Sequence, residues 1–560
     1  MNRDAVRQVF EQIAASLAIK GDNPFRIRAF ENAARAVADY SGDFDEAVRT
    51  GALREVEGIG KGTLEIVREL TESGRSGFLD ELREQVPPGL VDMLRIPGLG
   101  VTKVRQIHEA LHVDSLAELE AVAADGRLAA LPRFGEKTAD RVRRGIAALR
   151  RASEFALQHH ARADADALRR ALATLPGVER VELAGSLRRR SELVRDIDLV
   201  VLHAPGAGDA LVRRLGEIPG VAEFVGTEGG VTLRFGSGLV ADVFFTPAQS
   251  FGITWVRATG SAEHVRQLEA RGLTRGTAAP DEVAVYRALG LAWIAPELRE
   301  GMGEIEAAAQ GRLPALVESS DLQGFLHCHT NYSDGSTTIA EWAEACRAAG
   351  YRWIGITDHS GSASYAGGLK AADVPRQHAE IDAVNATSGD FRVLKGVEAD
   401  ILADGSLDYG PDVLDRFDFV IGSVHSRFAM TAQEMTARVL RAMEDPRLTI
   451  LGHPTGRLLM AREPFAIDLD QILEAAAQRG VAIEVNADPH RLDLDWRHVR
   501  RARELGVMIS IGADAHAVAG MSNVPLGLGV ARKGWLTKQD VLNSRDAVEF
   551  LAFARGRRGV

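Results

Sequence analysis

The sequence predicts a multidomain α/β protein, because three kinds of pattern follow one another along the chain. The first 150 residues read as helices separated by short turns that contain glycine. From about residue 180 to 250 the pattern changes to strands, and a helical pattern returns from about 259 to 312. Beyond a linker that ends near residue 322, apolar runs ending in His, Glu or Asp alternate with helix-like stretches, which predicts a parallel sheet or barrel.

Length and composition bound the class of protein. A chain of 560 residues predicts three or four folded units, and its 26% charged and 46% hydrophobic residues are ordinary for a soluble globular protein. The sequence shows neither a long apolar run that would predict a membrane span nor a charged-then-apolar start that would predict secretion. Two cysteines, Cys328 and Cys346, are too few for a disulfide framework. We therefore expect a cytoplasmic monomer without a membrane partner. Its net charge of −11 argues against coating nucleic acid by bulk charge.

The changes of pattern predict six segments. They are a first helical domain over 1–80, a second helical domain over 81–152, a strand-rich domain over 153–256, a small helical domain over 257–312, a linker over 313–322 and a barrel domain over 323–560.

One pattern recurs three times in the helical region. The segments VEGIGKGTLEIV, IPGLGVTKVRQI and LPRFGEKTADRV each contain a tight turn ending in glycine that opens a new helix. Glycine lets a backbone approach a ligand closely, and the free N–H groups at a helix start attract phosphate. The segments resemble helix-hairpin-helix units, which grip the DNA backbone without reading its sequence. The glycines expected to contact DNA are Gly58, Gly60, Gly98, Gly100 and Gly135.

Aspartates in the strand-rich region carry the first chemical signal. Asp196 and Asp198 are two residues apart, so a strand would project both from one face. Carboxylates held together repel one another unless a divalent cation neutralises them. Asp242, in the apolar stretch LVADVFF, is placed to complete the set from a neighbouring strand. Two magnesium ions held in this way could activate a 3′-hydroxyl and stabilise a leaving pyrophosphate.

A phosphate-binding pattern precedes these aspartates. Gly185 and Ser186 can offer backbone and hydroxyl donors, and Arg188 or Arg189 a bidentate guanidinium. Gly-Ser-x-Arg-Arg followed seven residues later by Asp-x-Asp resembles the nucleotidyltransferase superfamily, and specifically the family X DNA polymerases. NPFRIRAFENAARAV resembles the N-terminal helical domain of that family, and FGITWVRATGSAEH resembles its junction of palm and thumb.

The resemblance implies a mixed-sheet nucleotidyltransferase palm followed by a small thumb. It also implies a Mg²⁺ or Mn²⁺ site at Asp196, Asp198 and Asp242, which would be catalytic. The residues that it implies for nucleotide binding are Gly185, Ser186, Arg188, Arg189, Thr259 and Gly260.

The sequence departs from the family pattern around the sugar and base of the nucleotide. The departures are Leu193, Arg195, Phe244, Arg257, Ala258 and Val265, where the family has Thr, Gly, Arg, Tyr, Phe and Asn. Weak DNA synthesis, or poor discrimination against ribonucleotides, therefore stays open as an alternative for the palm. Ile66 occupies the place where some members carry a lyase lysine, so we expect no removal of 5′-deoxyribose phosphate through that residue.

The C-terminal region carries the second chemical signal. HCHTNYSDG opens it, and the predicted strands end in further His, Glu and Asp residues that would gather on one face of a barrel. Mixed imidazole and carboxylate ligands suit zinc, manganese or iron, and two or three such ions could generate a hydroxide and clamp a phosphodiester. The candidate ligands are His327, His329, Asp334, His359, Glu398, His425, His453, Asp514 and His516.

These residues, together with GVEADILADGSLD and SVHS, resemble the PHP (polymerase and histidinol phosphatase) domain, a metal-dependent phosphoesterase. The resemblance implies a distorted, TIM-like (β/α)7 barrel in which Glu398 is catalytic and bridges two metals. We expect Asp358 to orient an imidazole, and Asn486 to be either structural or substrate-facing.

A family X polymerase followed by a PHP domain is the arrangement of the bacterial PolX family. The resemblance implies gap filling in base excision repair and 3′→5′ exonuclease activity on gapped or primer–template DNA, with deoxynucleoside triphosphates as substrates. It implies two or three Mn²⁺, Zn²⁺ or iron ions in the PHP domain, and association with the nucleoid when the protein is on DNA. Two alternatives stay open: a PHP nuclease whose polymerase region only binds DNA, and a small-molecule phosphatase of the histidinol phosphatase type fused to a DNA anchor.

Overall fold

The computed structural model describes residues 3–38, 40, 44–56, 58–73, 75–227, 229–236, 238–274, 276 and 278–558. Residue 57, in the first predicted hairpin, lies outside the described residues. The chain divides into two compact units, Met1–Glu154 and Phe155–Val560. The finer domain boundaries stay predictions.

The first unit is helical throughout its described part. Its helices are α1 (Arg3–Lys20), α2 (Pro24–Ala38), α3 (Phe44–Thr50), α4 (Lys61–Ser73), α5 (Gly77–Gln85), α6 (Pro88–Met93), α7 (Val101–Leu111), α8 (Leu116–Ala124) and α9 (Glu136–Ser153). Val6, Phe10, Ile13 and Leu17 share one face of α1 at helical spacing and are buried in the core of the unit.

Helices α4, α7 and α9 begin directly after the glycines that end the repeated turns, Gly60, Gly100 and Gly135. Gly58 and Gly98 have φ of +94° and +88°, a conformation that side chains rarely adopt, so each turn needs glycine there. A Cβ added at Gly60 or Gly100 would meet no atom within 4 Å among the residues described. The backbone at these two helix starts is therefore open to a ligand.

The second unit begins with a mixed sheet, which we call the palm sheet. Its elements are β1 (Ala156–Leu157), α10 (Gln158–Ala173), β2 (Val178–Leu183), α11 (Gly185–Arg188), β3 (Leu193–Val194), β4 (Ile197–His203), α12 (Gly208–Arg214), β5 (Val221–Thr227), β6 (Gly230–Phe235) and β7 (Val240–Thr246). The strand order is β2-β4-β7-β6-β5, and β4 pairs parallel with β7 while the other neighbours are antiparallel. The small β1 and β3 pair with each other.

Four helices, which we call the thumb helices, follow the palm sheet: α13 (Phe251–Thr259), α14 (Ala262–Ala270), α15 (Glu282–Ala288) and α16 (Glu304–Ala309). A fully buried ion pair organises them. Arg299 is 0% exposed, and its NH1 and NH2 donate to the two carboxylate oxygens of Glu282 at 2.6 and 3.0 Å. A buried charge is tolerated only when it is paired in this way.

The rest of the chain forms a closed barrel of seven parallel strands, so the predicted fold class is confirmed. The strands are β8 (Gly324–Cys328), β9 (Trp353–Ile356), β10 (Arg392–Asp400), β11 (Phe419–Ser423), β12 (Leu448–Leu451), β13 (Ala482–Asn486) and β14 (Ile509–Ala515). The helices are α17 (Ile339–Ala348), α18 (Val374–Thr387), α19 (Pro411–Leu414), α20 (Ala432–Ala442), α21 (Leu469–Arg479), α22 (Trp496–Glu504), α23 (Val524–Lys533) and α24 (Ala547–Gly556).

The barrel strands are buried almost throughout, which explains why they appear as continuous apolar runs in the sequence. Their carboxyl ends meet at one rim, where the polar residues of each run collect. No helix within the described ranges is long and apolar enough to cross a membrane.

Candidate metal centres

The nine barrel residues expected to bind metal all lie at the carboxyl ends of the strands or in the loops that follow them. His327 lies in β8, His329 and Asp334 after β8, His359 after β9, Glu398 in β10, His425 after β11, His453 after β12, Asp514 in β14 and His516 after β14. The structure brings them together in one cluster, which we call the barrel cluster.

Glu398 lies at the centre of this cluster and is buried. Its Oε1 lies 3.3 Å from His327 Nε2, 3.4 Å from His425 Nε2 and 3.1 Å from His453 Nε2. Its Oε2 lies 2.9 Å from His359 Nδ1. The two oxygens of one carboxylate therefore face different imidazoles, the arrangement that a carboxylate bridging two metals requires.

A second group lies around Asp334. Its Oδ2 is 3.3 Å from His516 Nε2 and 3.8 Å from His359 Nε2, and its Oδ1 is 4.0 Å from His329 Nδ1. One donor atom from each of these four residues lies within 4.8 Å of the others. Two further groups meet the same limit: one contains His327, His329 and Asp514, and the other contains His359, Glu398 and His425.

Several of the opposed atoms form no hydrogen bond. Within the described part of the chain, His327 Nε2, both nitrogens of His329, His359 Nδ1 and Glu398 Oε2 are buried without a hydrogen-bond partner. Buried polar atoms normally have partners, and an unpaired one is costly. Nitrogen and carboxylate atoms that converge without bonding one another fit a set of divalent metal ligands.

The charges within the cluster stabilise one another. Burial would raise the pKa of Glu398, but His359, His327 and His425 hold that pKa well below its ordinary value. Burial would likewise lower the pKa of His425, whereas Glu398 and Asp400 raise it to about 9. The cluster therefore holds carboxylates in the ionised form that binds metal.

The palm sheet brings its three aspartates together at one place. Asp198 in β4 and Asp242 in β7 are directly opposite in the parallel pair, and Asp196 precedes β4 by one residue. Burial raises the pKa of Asp198 to about 8, with Asp196 and Asp242 adding to the effect. Burial and Asp242 also raise the pKa of Asp196. Crowded carboxylates with raised pKa values are what a divalent cation would relieve.

Gly185 and Ser186 lie against this carboxylate group. A Cβ added at Gly185 would be 1.7 Å from Asp198 Oδ2, so only glycine lets the carboxylate occupy this position. Ser186 Oγ is buried and has no hydrogen-bond partner within the described ranges. A hydroxyl without a partner, next in sequence to the glycine that contacts Asp198, fits a phosphate ligand carried by a metal.

The two arginines expected to grip phosphate are held by thumb carboxylates. Arg188 donates to both oxygens of Glu282 at 2.7 and 2.8 Å, and also to Thr259 Oγ1 at 2.7 Å. Arg189 donates through Nε to Glu300 at 2.9 Å and through NH1 to the carbonyl of Thr259 at 2.9 Å. Thr259 thus joins both arginines to the end of α13, beside Gly260.

Comparisons with known proteins decide the family. Models of a helix-hairpin-helix domain and of a SAM-like helix-hairpin-helix tandem match residues 1–76 and 90–148, and a PHP domain model matches residues 326–488. The chain is 33% identical to the DNA polymerase/3′-5′ exonuclease PolX of Bacillus subtilis (strain 168). That match covers 99% of this chain and 100% of the relative. The chain belongs to the PolX family.

Other relatives match only part of this PolX family member. A probable phosphatase of Thermoanaerobacter sp. (strain X514) is 28% identical over 39% of this chain and 89% of its own. A probable phosphatase of Caldanaerobacter subterraneus subsp. tengcongensis is 30% identical over 34% of this chain and 74% of its own. These matches cover 39% and 34% of the chain, whereas the PolX match covers 99% of it and so spans both units.

Two carboxylates that support the cluster were missed from the sequence. Glu484 contacts His327 Nδ1 and accepts from the backbone N–H of His453 at 2.7 Å, and Asp400 lies 2.7 Å from His425 Nδ1. Each occupies the outer ring nitrogen, which turns Nε2 toward the cluster. Their positions carried a usable signal, since Asp400 is two residues beyond Glu398 and Glu484 lies near the end of an apolar strand.

The contacts of two polar neighbours bear on their expected roles. The structural alternative is favoured for Asn486, which is buried and whose Nδ2 donates to Glu484 at 3.2 Å and to Asp514 at 3.0 Å. The expectation that Asp358 orients an imidazole is wrong. Its oxygens accept instead from the backbone N–H and the hydroxyl of Thr330, from the Ser333 hydroxyl and from the Gln377 amide.

Three of the candidate ligands have backbone conformations that residues other than glycine rarely adopt. The φ angles are +60° at His327, +21° at His453 and +49° at Asp514. Such strain persists only where the surroundings enforce it, and it concentrates at functional sites.

Two of the departures from the family X pattern make contacts through their side chains. Arg195 lies over the ring of Phe155 at 5.1 Å, and Arg257 forms an ion pair with Glu269. Ile66 is buried in the core of the first unit.

Proposed function

We propose that the chain is a DNA repair enzyme that fills gaps in DNA at the palm sheet and trims 3′ ends at the barrel cluster. The observation that carries the proposal is the presence of two separate clusters of metal-ligand residues in a member of the PolX family: three aspartates at the palm sheet, and histidines with carboxylates at the barrel. The name of its Bacillus subtilis relative states both activities. The substrates would be gapped or primer–template DNA and deoxynucleoside triphosphates. We propose that the protein acts as a monomer in the cytoplasm, on the nucleoid when it is bound to DNA.

At the palm sheet, Asp196, Asp198 and Asp242 would hold Mg²⁺ or Mn²⁺, which supplies activation of a 3′-hydroxyl and stabilisation of pyrophosphate. Ser186 would donate its free hydroxyl to the triphosphate. Arg189, held by its bonds to Glu300 and Thr259, would offer its guanidinium to the triphosphate. Arg188 and Gly260 would lie on the same side of the nucleotide. Because thumb carboxylates hold both arginines, nucleotide binding would depend on the thumb helices.

At the barrel cluster, the nine candidate ligands would hold two or three Mn²⁺, Zn²⁺ or iron ions, which supply a hydroxide for attack on a phosphodiester. Glu398 would bridge two of the ions, since each of its oxygens faces different imidazoles. Glu484 and Asp400 would keep His327 and His425 oriented.

The helix starts at Gly60, Gly100 and Gly135 would hold the DNA backbone. At Gly60 and Gly100 the approach is open, and the first N–H groups of α4 and α7 are available to phosphate. A small-molecule phosphatase is not favoured, because the probable phosphatases match only 39% and 34% of this chain, whereas the PolX relative matches 99% of it.

Primer extension on 5′-labelled gapped DNA tests the synthetic half of the proposal. We expect Asp198→Ala to lower extension at least about 100-fold, because a metal ligand is lost. Equal extension by the variant and the wild type would leave only a DNA-binding role for the palm sheet.

Trimming of the same primer without triphosphates tests the other half. We expect His327→Ala to abolish trimming and to leave the affinity for DNA nearly unchanged. His498→Ala, a histidine of α22 outside the cluster, is the matched control and should trim normally. Trimming that persists in His327→Ala would contradict the assignment.

A further inference from the structure

A cleft of about 430 Å³ lies between the palm sheet and the barrel. We call it the basic cleft. Its walls include Gln158, His159 and Arg162 from α10, Arg190 from the turn after α11, and Pro489 and Asn523 from two barrel loops.

The charged residues that line the basic cleft are all positive. Two arginines line it, and none of the described residues that line it is a carboxylate. Arg162 is paired with Asp166 at 2.9 Å. Arg190 is half-buried and forms neither a hydrogen bond through its guanidinium nor a salt bridge with any residue described. The carboxylate that acts on it electrostatically, Glu297, is bonded to Arg532 at 2.8 Å. An unpaired, half-buried guanidinium favours binding of an anion.

A second donor in the cleft also lacks a partner. Gln158 is 3% exposed, and its Nε2 is buried without a hydrogen bond to any described residue. Arg190 packs against the barrel, since a Cβ added at Gly529 of α23 would lie 3.2 Å from its side chain. Its backbone φ is +61°. The guanidinium of Arg190 and the amide of Gln158 are therefore two donors at the cleft that no described residue satisfies.

The barrel wall of the cleft leads to the barrel cluster. Pro489 lies in the loop after β13, and two residues later Arg491 Nε is 3.4 Å from Asp514 Oδ2. Asn523 lies in the loop after β14, which also carries His516. The same two loops therefore carry residues of the basic cleft and residues that belong to, or contact, the barrel cluster.

We propose that the basic cleft binds the phosphate backbone of single-stranded DNA a few nucleotides upstream of the 3′ end that lies in the barrel cluster. This inference rests on the proposed exonuclease function. A polyanion with regularly spaced phosphates matches donors that extend from Arg190 to Arg491.

Substrate length provides the test. Oligo(dT)10 is long enough to reach the cleft, whereas thymidine 5′-monophosphate p-nitrophenyl ester contains a single nucleotide and is not. We expect Arg190→Gln to raise KM for the oligonucleotide about tenfold, as loss of a phosphate contact would, and to leave hydrolysis of the ester unchanged. Arg162→Gln should act in the same direction. Arg169→Gln, on the same helix and outside the cleft, is the matched control.

An unchanged KM for oligo(dT)10 in Arg190→Gln would overturn the inference while leaving the exonuclease proposal intact. An equal loss on both substrates would also overturn it, because damage to the cluster would then explain the effect. If the wild type hydrolyses neither substrate, the exonuclease proposal fails. Binding of the oligonucleotide then tests whether the cleft is a DNA site.

Fluorescence anisotropy with labelled oligo(dT)10 in EDTA measures that binding in the metal-free protein. We expect weaker binding by Arg190→Gln, with the slope of log K against log salt shallower by about 0.7 for one lost phosphate contact. Equal affinity in variant and wild type would contradict binding of DNA in the cleft. Displacement of the oligonucleotide by inorganic phosphate at an equal phosphate concentration would indicate a site for free anions instead and would contradict a strand site.

Discussion

Lys533 of the barrel and Glu300 of the thumb region form a buried ion pair. Lys533 lies at the end of α23 and is 1% exposed, and its ammonium also donates to the backbone carbonyl of Arg189 at 3.2 Å. Glu300 accepts in turn from Arg189 Nε. A barrel helix therefore holds the arginine that the sequence predicts at the triphosphate.

Removing the lysine should weaken nucleotide binding. We expect Lys533→Met to raise KM for deoxynucleoside triphosphates roughly tenfold, because Glu300 and Arg189 lose their common anchor and a small misplacement is costly. Trimming at the barrel cluster should not change. Arg532→Met, which breaks the neighbouring pair with Glu297, is the control and should leave that KM unaltered. A parallel fall in trimming would indicate damage to the barrel rather than loss of positioning.

The buried Glu282 should make the second unit sensitive to acid. Burial would raise the pKa of Glu282, but Arg188 and Arg299 lower it to about 2. A carboxyl whose pKa is lower in the folded state stabilises that state above its ordinary pKa and loses this contribution as the pH falls toward 2. We expect Glu282→Gln to lower the free energy of unfolding by about 3 kcal/mol at pH 7, because two arginines lose their counter-charge.

Urea unfolding of wild type and Glu282→Gln at pH 7, 4 and 3 measures this effect. The difference between the two proteins should shrink as the pH falls below 4.5, the ordinary pKa of the group. A difference that is constant across this range would show that the carboxylate charge is not responsible.

The crowded palm carboxylates should oppose folding when no metal is bound. We expect Asp198→Asn to stabilise the metal-free protein by about 1–2 kcal/mol at pH 8, because it removes a buried charge beside Asp196 and Asp242. Added Mg²⁺ should raise Tm of the wild type more than that of the variant. Thermal unfolding with and without Mg²⁺ is the measurement, and a lower Tm for metal-free Asp198→Asn would contradict the crowding.

Glu484 should control metal affinity without being a ligand. We expect Glu484→Gln to weaken metal binding about 10–100-fold, because His327 loses the partner that fixes its ring. Metal titration followed by trimming should show activity restored at high metal concentration. Glu398→Gln should not be restored, since it removes a ligand. Equal behaviour of the two variants would contradict the difference in their roles.

Much of the barrel site could be predicted from sequence, because each ligand follows an apolar strand and parallel strands end at one rim. His327, Glu398 and Asp514 are examples. Glu484 and Asp400 were missed although they lie in apolar strands like the ligands, because the sequence does not show which carboxylate contacts the outer nitrogen of which imidazole.

The palm site shows where such reasoning stops. The pairing of Arg188 with Glu282 joins residues 94 positions apart, so no local pattern predicts it. Strand β5 was also missed, because its side chains are almost all exposed and give no apolar alternation.

The release of deoxynucleoside monophosphate from a labelled triphosphate on primer–template DNA tests most directly whether one chain both adds and removes nucleotides. Addition yields pyrophosphate and a longer primer, and hydrolysis of the new phosphodiester restores the primer and releases the labelled monophosphate. We expect the wild type to release it continuously and both Asp198→Ala and His327→Ala to release almost none. Release by Asp198→Ala at the wild-type rate would contradict the account, because the barrel would then be hydrolysing the triphosphate directly.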